Sequence, residues 1–493
     1  MIPGTMKLHS AVSAAAIVAC ALLARLPIVF ERRPWGDETF YALVGHQWLH
    51  GDAPYTIMMD MKAPGIFALF ALFEAVLGDP LLAPRILHVI AVLATSLALW
   101  RIALQWFGDR PMGLIAALLY PPYSLTLGAS HEYSGLLVAP FVAWGFFFAG
   151  HPQRGAPFAA GLLFGLAGTI KQIAVFDAAW ALIIVLASQQ LRAGSVVTRP
   201  VAFCLGAVAP FIVFTIYYAA IGHVDDLWTA MIVWALVRND NYGSIVNAPV
   251  RVIAFLKSLL PLVVLSALAI TERRWFRRRA EPAQFAWLAG WFGAALAGVI
   301  VQHALYGHYL LTLLPPLVLG AGLFMAELAR RATWFRGVFR VAALGALIIF
   351  PVAWAMLMDW PSGDRNVFAV ADRLHQLGLV RGTRAAELFV VDHETSLYLL
   401  TDTVQPTRFA HPEHLQCNIS LPPGVDPVAE IEATMARRPR FVVITERRSR
   451  LACTLPHRMA IYMRHLDADY VLAGRVGDPP DAVEIYRRRT AAP

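Results

Sequence analysis

Pro34-Trp35-Gly36-Asp37-Glu38-Thr39-Phe40-Tyr41 sets two adjacent carboxylates just past a long apolar run. That run, 8–30, is long enough to cross a bilayer, which takes roughly 20 residues, and no small-residue cleavage site ends it. It reads as an uncleaved first membrane helix. An acidic pair at its exit is expensive at a membrane surface unless it is solvated or used. Gly51-Asp52-Ala53-Pro54-Tyr55 and Lys62-Ala63-Pro64-Gly65 follow in the same loop, and the lysine can offset an anionic ligand. Chemistry is expected here.

The rest of the chain agrees with a membrane setting. Of 493 residues, 58% are hydrophobic and only 15% charged, and the mean hydropathy is +0.57. A soluble domain is about a quarter charged. The net charge of +8 is spread between apolar spans and forms no single patch, which excludes a nucleic-acid partner and leaves the lipid bilayer as the surface met. Cys20, Cys204, Cys417 and Cys453 fall in no metal-ligand or CxxC spacing. The first two read as small core residues. A disulfide between Cys417 and Cys453 is open to the chain only if the C-terminal part is extracytoplasmic.

Apolar stretches near 8–30, 81–106, 111–129, 134–150, 156–171, 173–189, 201–221, 251–270, 284–304, 308–328 and 338–358 make about 11 transmembrane helices. Alternate linkers carry Arg101 and Arg110, Arg154, Arg192 and Arg199, the cluster Arg273 to Arg279, and Arg330, Arg331 and Arg336. The excess of arginine places these linkers, and the N-terminus with Lys7, on the cytoplasmic side. The loop 31–80, the turn Ser130-His131-Glu132-Tyr133, the loop 222–250 and the tail from Asp359 are then outside. Within the first loop, 38–50 and 65–78 are too short to span and are expected as helices along the interface, the second bounded by Pro64 and Gly78-Asp79-Pro80.

The tail has more charge and no spanning run. Leu388–Val391, Phe441–Ile444, Tyr470–Leu472 and Val483–Tyr486 read as strands, with helices over Val367–Leu377 and Pro427–Arg437. The expected architecture is therefore a polytopic α-helical membrane protein, 1–358, with a small C-terminal extracytoplasmic α/β domain, 359–493. No internal repeat or low-complexity segment is visible.

The order Asp37-Glu38, Tyr41, Gly51 to Tyr55, Lys62-Ala63-Pro64, Arg85 and the late His308-Tyr309-Leu310-Leu311-Thr312-Leu313-Leu314-Pro315-Pro316 resembles the GT-C membrane glycosyltransferases of the protein mannosyltransferase and aminoarabinose transferase group. The likeness covers about 20–330, and Ser396-Leu397-Tyr398 through Pro406-Thr407-Arg408-Phe409 resembles the extracytoplasmic tails of bacterial members. The resemblance implies transfer of one sugar from a polyprenyl-phosphate donor to a saccharide, lipid or protein acceptor at the periplasmic face of the inner membrane. Many relatives read Lys-Pro-Pro where this chain has Lys62-Ala63-Pro64. Where aminoarabinose enzymes place an acidic residue that helps to hold a divalent metal ion, Met61 stands here. Many relatives also carry an aspartate after the third span, for which Glu132 is the acidic candidate.

Such a donor is already activated, because the lipid phosphate is the leaving group. Asp37 is assigned as general base: a carboxylate near the bilayer and next to Glu38 should hold its proton more tightly than usual, which suits base catalysis near neutral pH. The bland alternative is a cap on a helix starting near Thr39. Glu38 is its catalytic neighbour in sequence, but a retaining enzyme needs a second carboxylate about 5 Å away, so inversion is expected. Lys62 is placed as phosphate partner against simple snorkelling. Tyr309 and His308 are placed at the same head group, against an aromatic belt. Tyr55, Arg85, Glu132 with His131, and Arg238 complete the candidate binding set. Arg238 is suited to phosphate, and Arg25 and Arg85 are not assigned to catalysis. A transporter of lipid-linked saccharide would show mid-span polar breaks and symmetry between halves, and a scaffold would leave the Asp-Glu loop unexplained.

Overall fold

The computed structural model describes residues 3–30, 36–126, 134–188, 198–237, 248–271, 282–302, 306–331, 337–359, 366–383, 385–447 and 453–489. His131, Glu132, Arg238 and the cluster Arg273 to Arg279 lie outside the described residues. Among the described residues five helices are long and apolar enough to cross a membrane: Ser10–Val29, Ala83–Phe107, Thr198–Ala220, Pro282–Val301 and Gly307–Arg331. Shorter apolar helices include Ser134–Ala149, Ala156–Ile170, Ala174–Ala187, Leu256–Thr271 and Val341–Leu357. The chain is a multi-pass membrane protein.

Compactness divides it into two units, one of Met1–Glu31, Arg85–Phe214 and Ile245–Pro361, the other of Arg32–Pro84, Thr215–Ser244 and Ser362–Pro493. The linear boundary at 358 marks the end of the apolar helices. Compactness further gathers the loop after the first helix, and a second loop, with the tail.

In the first unit the segment Gly307–Arg331 is central, 94% buried over its most apolar window. Two of its glycines permit this. A Cβ at Gly320 would meet Ser266, and one at Gly322 would meet the Met112 carbonyl at 2.8 Å, so helices on two sides approach the backbone closely. The helices Ala156–Ile170 and Thr198–Ala220 touch in the same way: Gly161 faces the Phe203 carbonyl, Gly165 faces Ala207, and Gly206 faces Phe158. The outer face of Thr198–Ala220 stays apolar and exposed at Leu205, Val208, Ile212, Val213 and Ile216, as a lipid-facing surface should.

Linkers expected on one side meet in pairs. Arg330 Nη2 pairs with Asp109 Oδ2 at 2.8 Å, and Arg199 Nη2 donates to the His151 carbonyl at 3.1 Å. At the other end Gly135 packs on the His308 carbonyl. Arg25 is buried and donates to the Ser124 carbonyl at 2.6 Å and Oγ at 2.8 Å, so it closes the end of the helix Arg110–Tyr123.

In the second unit, β1 (Leu388–Val390), β2 (Phe441–Thr445), β3 (Tyr470–Val476) and β4 (Val483–Arg488) form one sheet in the order β1-β2-β4-β3. β1 and β2 run parallel, while β4 is antiparallel to both of its neighbours. All of β1 and β2 is buried, which is why both read as unbroken apolar runs. Helices Val367–Gln376 and Pro427–Ala436 lie where the sequence places them, and Pro456–Asp469 is a further one. Cys417 and Cys453 are disulfide-bonded, their Cα atoms 5.0 Å apart.

The two short helices of the first loop are Gly36–Leu49 and Pro64–Leu77. The second keeps an exposed apolar edge at Leu72, Val76 and Leu77, in line with an interfacial position. The first does not. Glu38 to Gly45 and Gln47 are all buried, because the second helix packs on one side and the tail covers another, so it is an internal element of its unit.

Candidate active site

Asp37 and Glu38 occupy the first turn of Gly36–Leu49, where the unpaired amides of a helix start favour negative charge. The helix begins at Gly36, ahead of the Thr39 start expected, so Asp37 is inside it and does not cap it. Thr39 Oγ1 turns back to the Gly36 carbonyl at 3.1 Å. The Asp37 carboxylate instead accepts the Tyr41 phenol at 2.9 Å. Tyr41 is buried edge-on against Phe67 and Phe70, which fixes the ring and through it the carboxylate. Glu38 is buried at 3% exposure, whereas Asp37 is half-buried.

Lys62 stands at the end of a tightly tied loop. Tyr55 has φ of 70°, its amide reaches the Met58 carbonyl at 2.7 Å, and its hydroxyl donates to the Lys62 carbonyl at 2.5 Å. The Lys62 amide in turn donates to Asp60 Oδ1 at 2.7 Å. Pro64 opens the next helix and stops the loop from lengthening. The Lys62 side chain is half-buried, and no carboxylate among the described residues pairs with its ammonium. Tyr55 is wholly buried, which pushes its phenol well above the usual value and keeps it a neutral donor.

Asp60 escapes a reading that looks for an acid directly before the lysine. It lies one position further back, behind Met61, and its carboxylate holds the Lys62 main chain. Among the described residues no three His, Cys, Asp or Glu side chains converge as a metal site.

The tail supports the loop. Gln47 Nε2 donates to Gln405 Oε1 at 2.6 Å, and Gln405 Nε2 reaches the Ile57 carbonyl at 3.3 Å. Thr39 and Thr395 hydroxyls lie 3.5 Å apart, and the Phe40 ring meets His411 edge-on at 5.7 Å. Asp37, Glu38, Tyr55 and Lys62 thus share one unit with the tail residues that hold them.

Arg85, His308 and Tyr309 belong to the first unit. Arg85 is buried near the start of Ala83–Phe107. His308 and Tyr309 sit on the 3-10 turn Gly307–Leu313, half-buried and edge-on to each other at 4.8 Å. The Lys171 ammonium stands 4.7 Å from the centre of the Tyr309 ring, a cation over a π face. Lys171 was visible in the sequence as the one charge in the apolar stretch 156–176, where it breaks two helices apart, but nothing near it in the chain points to Tyr309.

Residues 61–218 match the family described as dolichyl-phosphate-mannose-protein mannosyltransferase. None of the curated protein sequences matches the chain. In fold it resembles ArnT from Cupriavidus metallidurans in the apo state, with a TM-score of 0.60 at 13% identity over 98% of both chains. The same protein bound to undecaprenyl phosphate aligns with a TM-score of 0.60 at 14% identity, again over 98% of each. The arabinofuranosyltransferase AftD from Mycobacteria (mutant R1389S) aligns with a TM-score of 0.54 at 13% identity, over 96% of this chain and 41% of that one. The chain therefore resembles the GT-C glycosyltransferases, in sequence over 61–218, which takes in Lys62 but not Asp37, Glu38 or Tyr55, and in fold along almost its whole length.

Proposed function

We propose that this GT-C-fold membrane protein is a glycosyltransferase that moves one sugar from a polyprenyl-phosphate donor to a cell-envelope acceptor at the periplasmic face. One observation carries the reading. A single unit presents a half-buried carboxylate, Asp37, held by a phenol, together with a lysine, Lys62, whose main chain is pinned while its ammonium has no acidic partner among the described residues. The structural likeness to a protein that binds undecaprenyl phosphate supports a lipid-phosphate ligand. The Cys417–Cys453 disulfide supports an oxidising compartment for the tail.

In this mechanism the acceptor hydroxyl attacks the anomeric carbon as Asp37 takes its proton. The bond from that carbon to the phosphate oxygen breaks, and its electron pair leaves on the polyprenyl phosphate. Lys62 balances the charge that grows on that phosphate, a role that needs a cation not already neutralised. The burial of Glu38 beside Asp37 on the helix supports a single displacement that inverts the anomeric centre. The family resemblance makes Arg85, Glu132, Arg238, His308 and Tyr309 further candidates for binding substrate.

The test is transfer from a purified polyprenyl-phosphate sugar, with Asp37→Asn alongside. Loss of the general base should lower kcat by roughly 10²–10⁴. Undiminished transfer by the variant would overturn the assignment of Asp37. Passage of lipid-linked sugar across vesicles that survives the substitution, with no transfer by either protein, would make the chain a transporter.

A further inference from the structure

Arg408 belongs to the tail but grips the loop that ends in Lys62. Its Nη2 donates to the Tyr55 carbonyl at 2.6 Å and to Asp226 Oδ1 at 2.9 Å, and its own carbonyl accepts the Met59 amide at 2.7 Å. The loop is thus held at residues 55 and 59 by one side chain and one main chain. Tyr55 needs such a hold, since a non-glycine residue at φ of 70° persists only where its surroundings over-determine it. The preceding carbonyl, that of Pro54, accepts the Tyr218 hydroxyl at 3.1 Å. The Tyr55 phenol then carries the constraint to the Lys62 carbonyl.

Stability does not account for this arrangement. The Arg408 and Asp226 side chains are 44% and 29% exposed, and an ion pair so open contributes little to folding. What the pair does is orient. Asp226 is itself held by His223 at 2.8 Å, and it fixes the guanidinium so that the same nitrogen meets the Tyr55 carbonyl. A lysine carries its donors on a rotating ammonium and does not reproduce the fixed, planar direction in which Nη2 points its two hydrogens at the carboxylate and the carbonyl.

We propose that Arg408 is a positioning residue for donor phosphate binding: through the Tyr55 carbonyl and phenol it sets the main chain of Lys62, and so the point at which the ammonium is presented. The proposal rests on the reading of Lys62 as phosphate partner. It gives the tail a part in donor recognition although no tail residue need touch the donor.

The experiment is steady-state kinetics on the full-length protein with donor and acceptor varied separately, for Arg408→Lys, Arg408→Ala, Tyr55→Phe, their double variant and Lys62→Ala. Arg408→Lys should raise donor KM about tenfold while acceptor KM and kcat at saturating donor stay near the parent, one lost hydrogen bond being the cause, and Tyr55→Phe should raise donor KM by a similar factor. The double variant should be no worse than Arg408→Ala alone, because both changes cut one chain of contacts. If Lys62→Ala raises donor KM and the Arg408 and Tyr55 variants, melting like the parent, do not, the positioning role is overturned and the phosphate reading stands. If Lys62→Ala leaves donor KM unchanged, both fall. An equal rise in acceptor KM would mark a general loosening and would also overturn the proposal. Should Arg408→Ala fail to fold, Arg408→Lys and Tyr55→Phe decide.

Discussion

Tyr41 donates its phenolic hydrogen to Asp37 Oδ2 at 2.9 Å, one helical turn further along the same helix. Residues four apart share a helix face, so the contact follows from the sequence once the helix is known to start at Gly36. The ring lies between Phe67 and Phe70, a site in which phenylalanine keeps the same packing. Tyr41→Phe should therefore melt close to the parent yet lose roughly tenfold in kcat, since it removes one hydrogen bond to a charged group and frees the carboxylate to turn. Stopped or steady-state transfer assays report this directly. Full activity in Tyr41→Phe would show that Asp37 needs no such support.

Much of this helix and its partner was legible because short apolar runs with clear stops have few readings. Pro64 and Gly78 bound the second helix, and Gly78 indeed ends it at φ of 71°. β1 and β2 were legible as unbroken apolar runs. The helix Pro456–Asp469 was less so, although Pro456 at its start and Met459, Tyr462 and Leu466 on one face are its signals, because charged residues crowd the rest of it. Long-range ties were not legible. Nothing local marks Gln405 as the partner of Gln47, Arg408 as the partner of Tyr55, or Lys171 as the partner of Tyr309, because each pair is made by the folding of segments more than 130 residues apart. Full burial of the helix Gly36–Leu49 was hidden for the same reason: beyond the neighbouring helix Pro64–Leu77, the rest of its covering comes from the tail.

His46 Nδ1 and Glu74 Oε1 lie 2.5 Å apart and join the two helices of the first loop. The hydrogen bond that His46 donates to the Glu74 carboxylate raises the His46 pKa above its ordinary 6.5, and partial burial opposes the rise without cancelling it. A group whose folded pKa lies above its unfolded one adds stability that is complete below the unfolded value and is lost as pH climbs through the folded value. Thermal melts of parent and His46→Gln should differ most below about pH 6.5 and converge toward alkaline pH. A difference that instead grows with pH would mean that the histidine is held neutral.

Gly161 and Gly165 form a small-residue stripe on Ala156–Ile170 against Thr198–Ala220. A Cβ at Gly161 would run into the Phe203 carbonyl, a backbone atom that cannot rotate away. Gly161→Val should separate the helices and cost roughly 1–3 kcal/mol or more, the usual range for overpacking. Gly293, where a Cβ would meet nothing within 4 Å, is the control: Gly293→Ala should melt at or slightly above the parent. Melting in detergent compares the two, and equal losses would deny the close approach.

Cys417 and Cys453 enclose a stretch with a sequence separation of 36, and an isolated bridge pairs Cys417 with Thr454 beside them. On a chain-entropy account a cross-link of that span stabilises by about 4 kcal/mol. Arg458, which donates to the Leu415 and Cys417 carbonyls at 3.1 and 2.6 Å, depends on the same local geometry. Cys417→Ser with Cys453→Ser should therefore lower the melting temperature by roughly 10 °C in a unit of this size. The bond also reports on the compartment. In intact cells Cys417 and Cys453 should resist a thiol-alkylating reagent until a reductant is added, whereas Cys20 and Cys204 are free thiols throughout. Prompt alkylation of the pair without reductant would place the tail in a reducing compartment, and with it the loop that carries Asp37 and Lys62, because both belong to one compact unit.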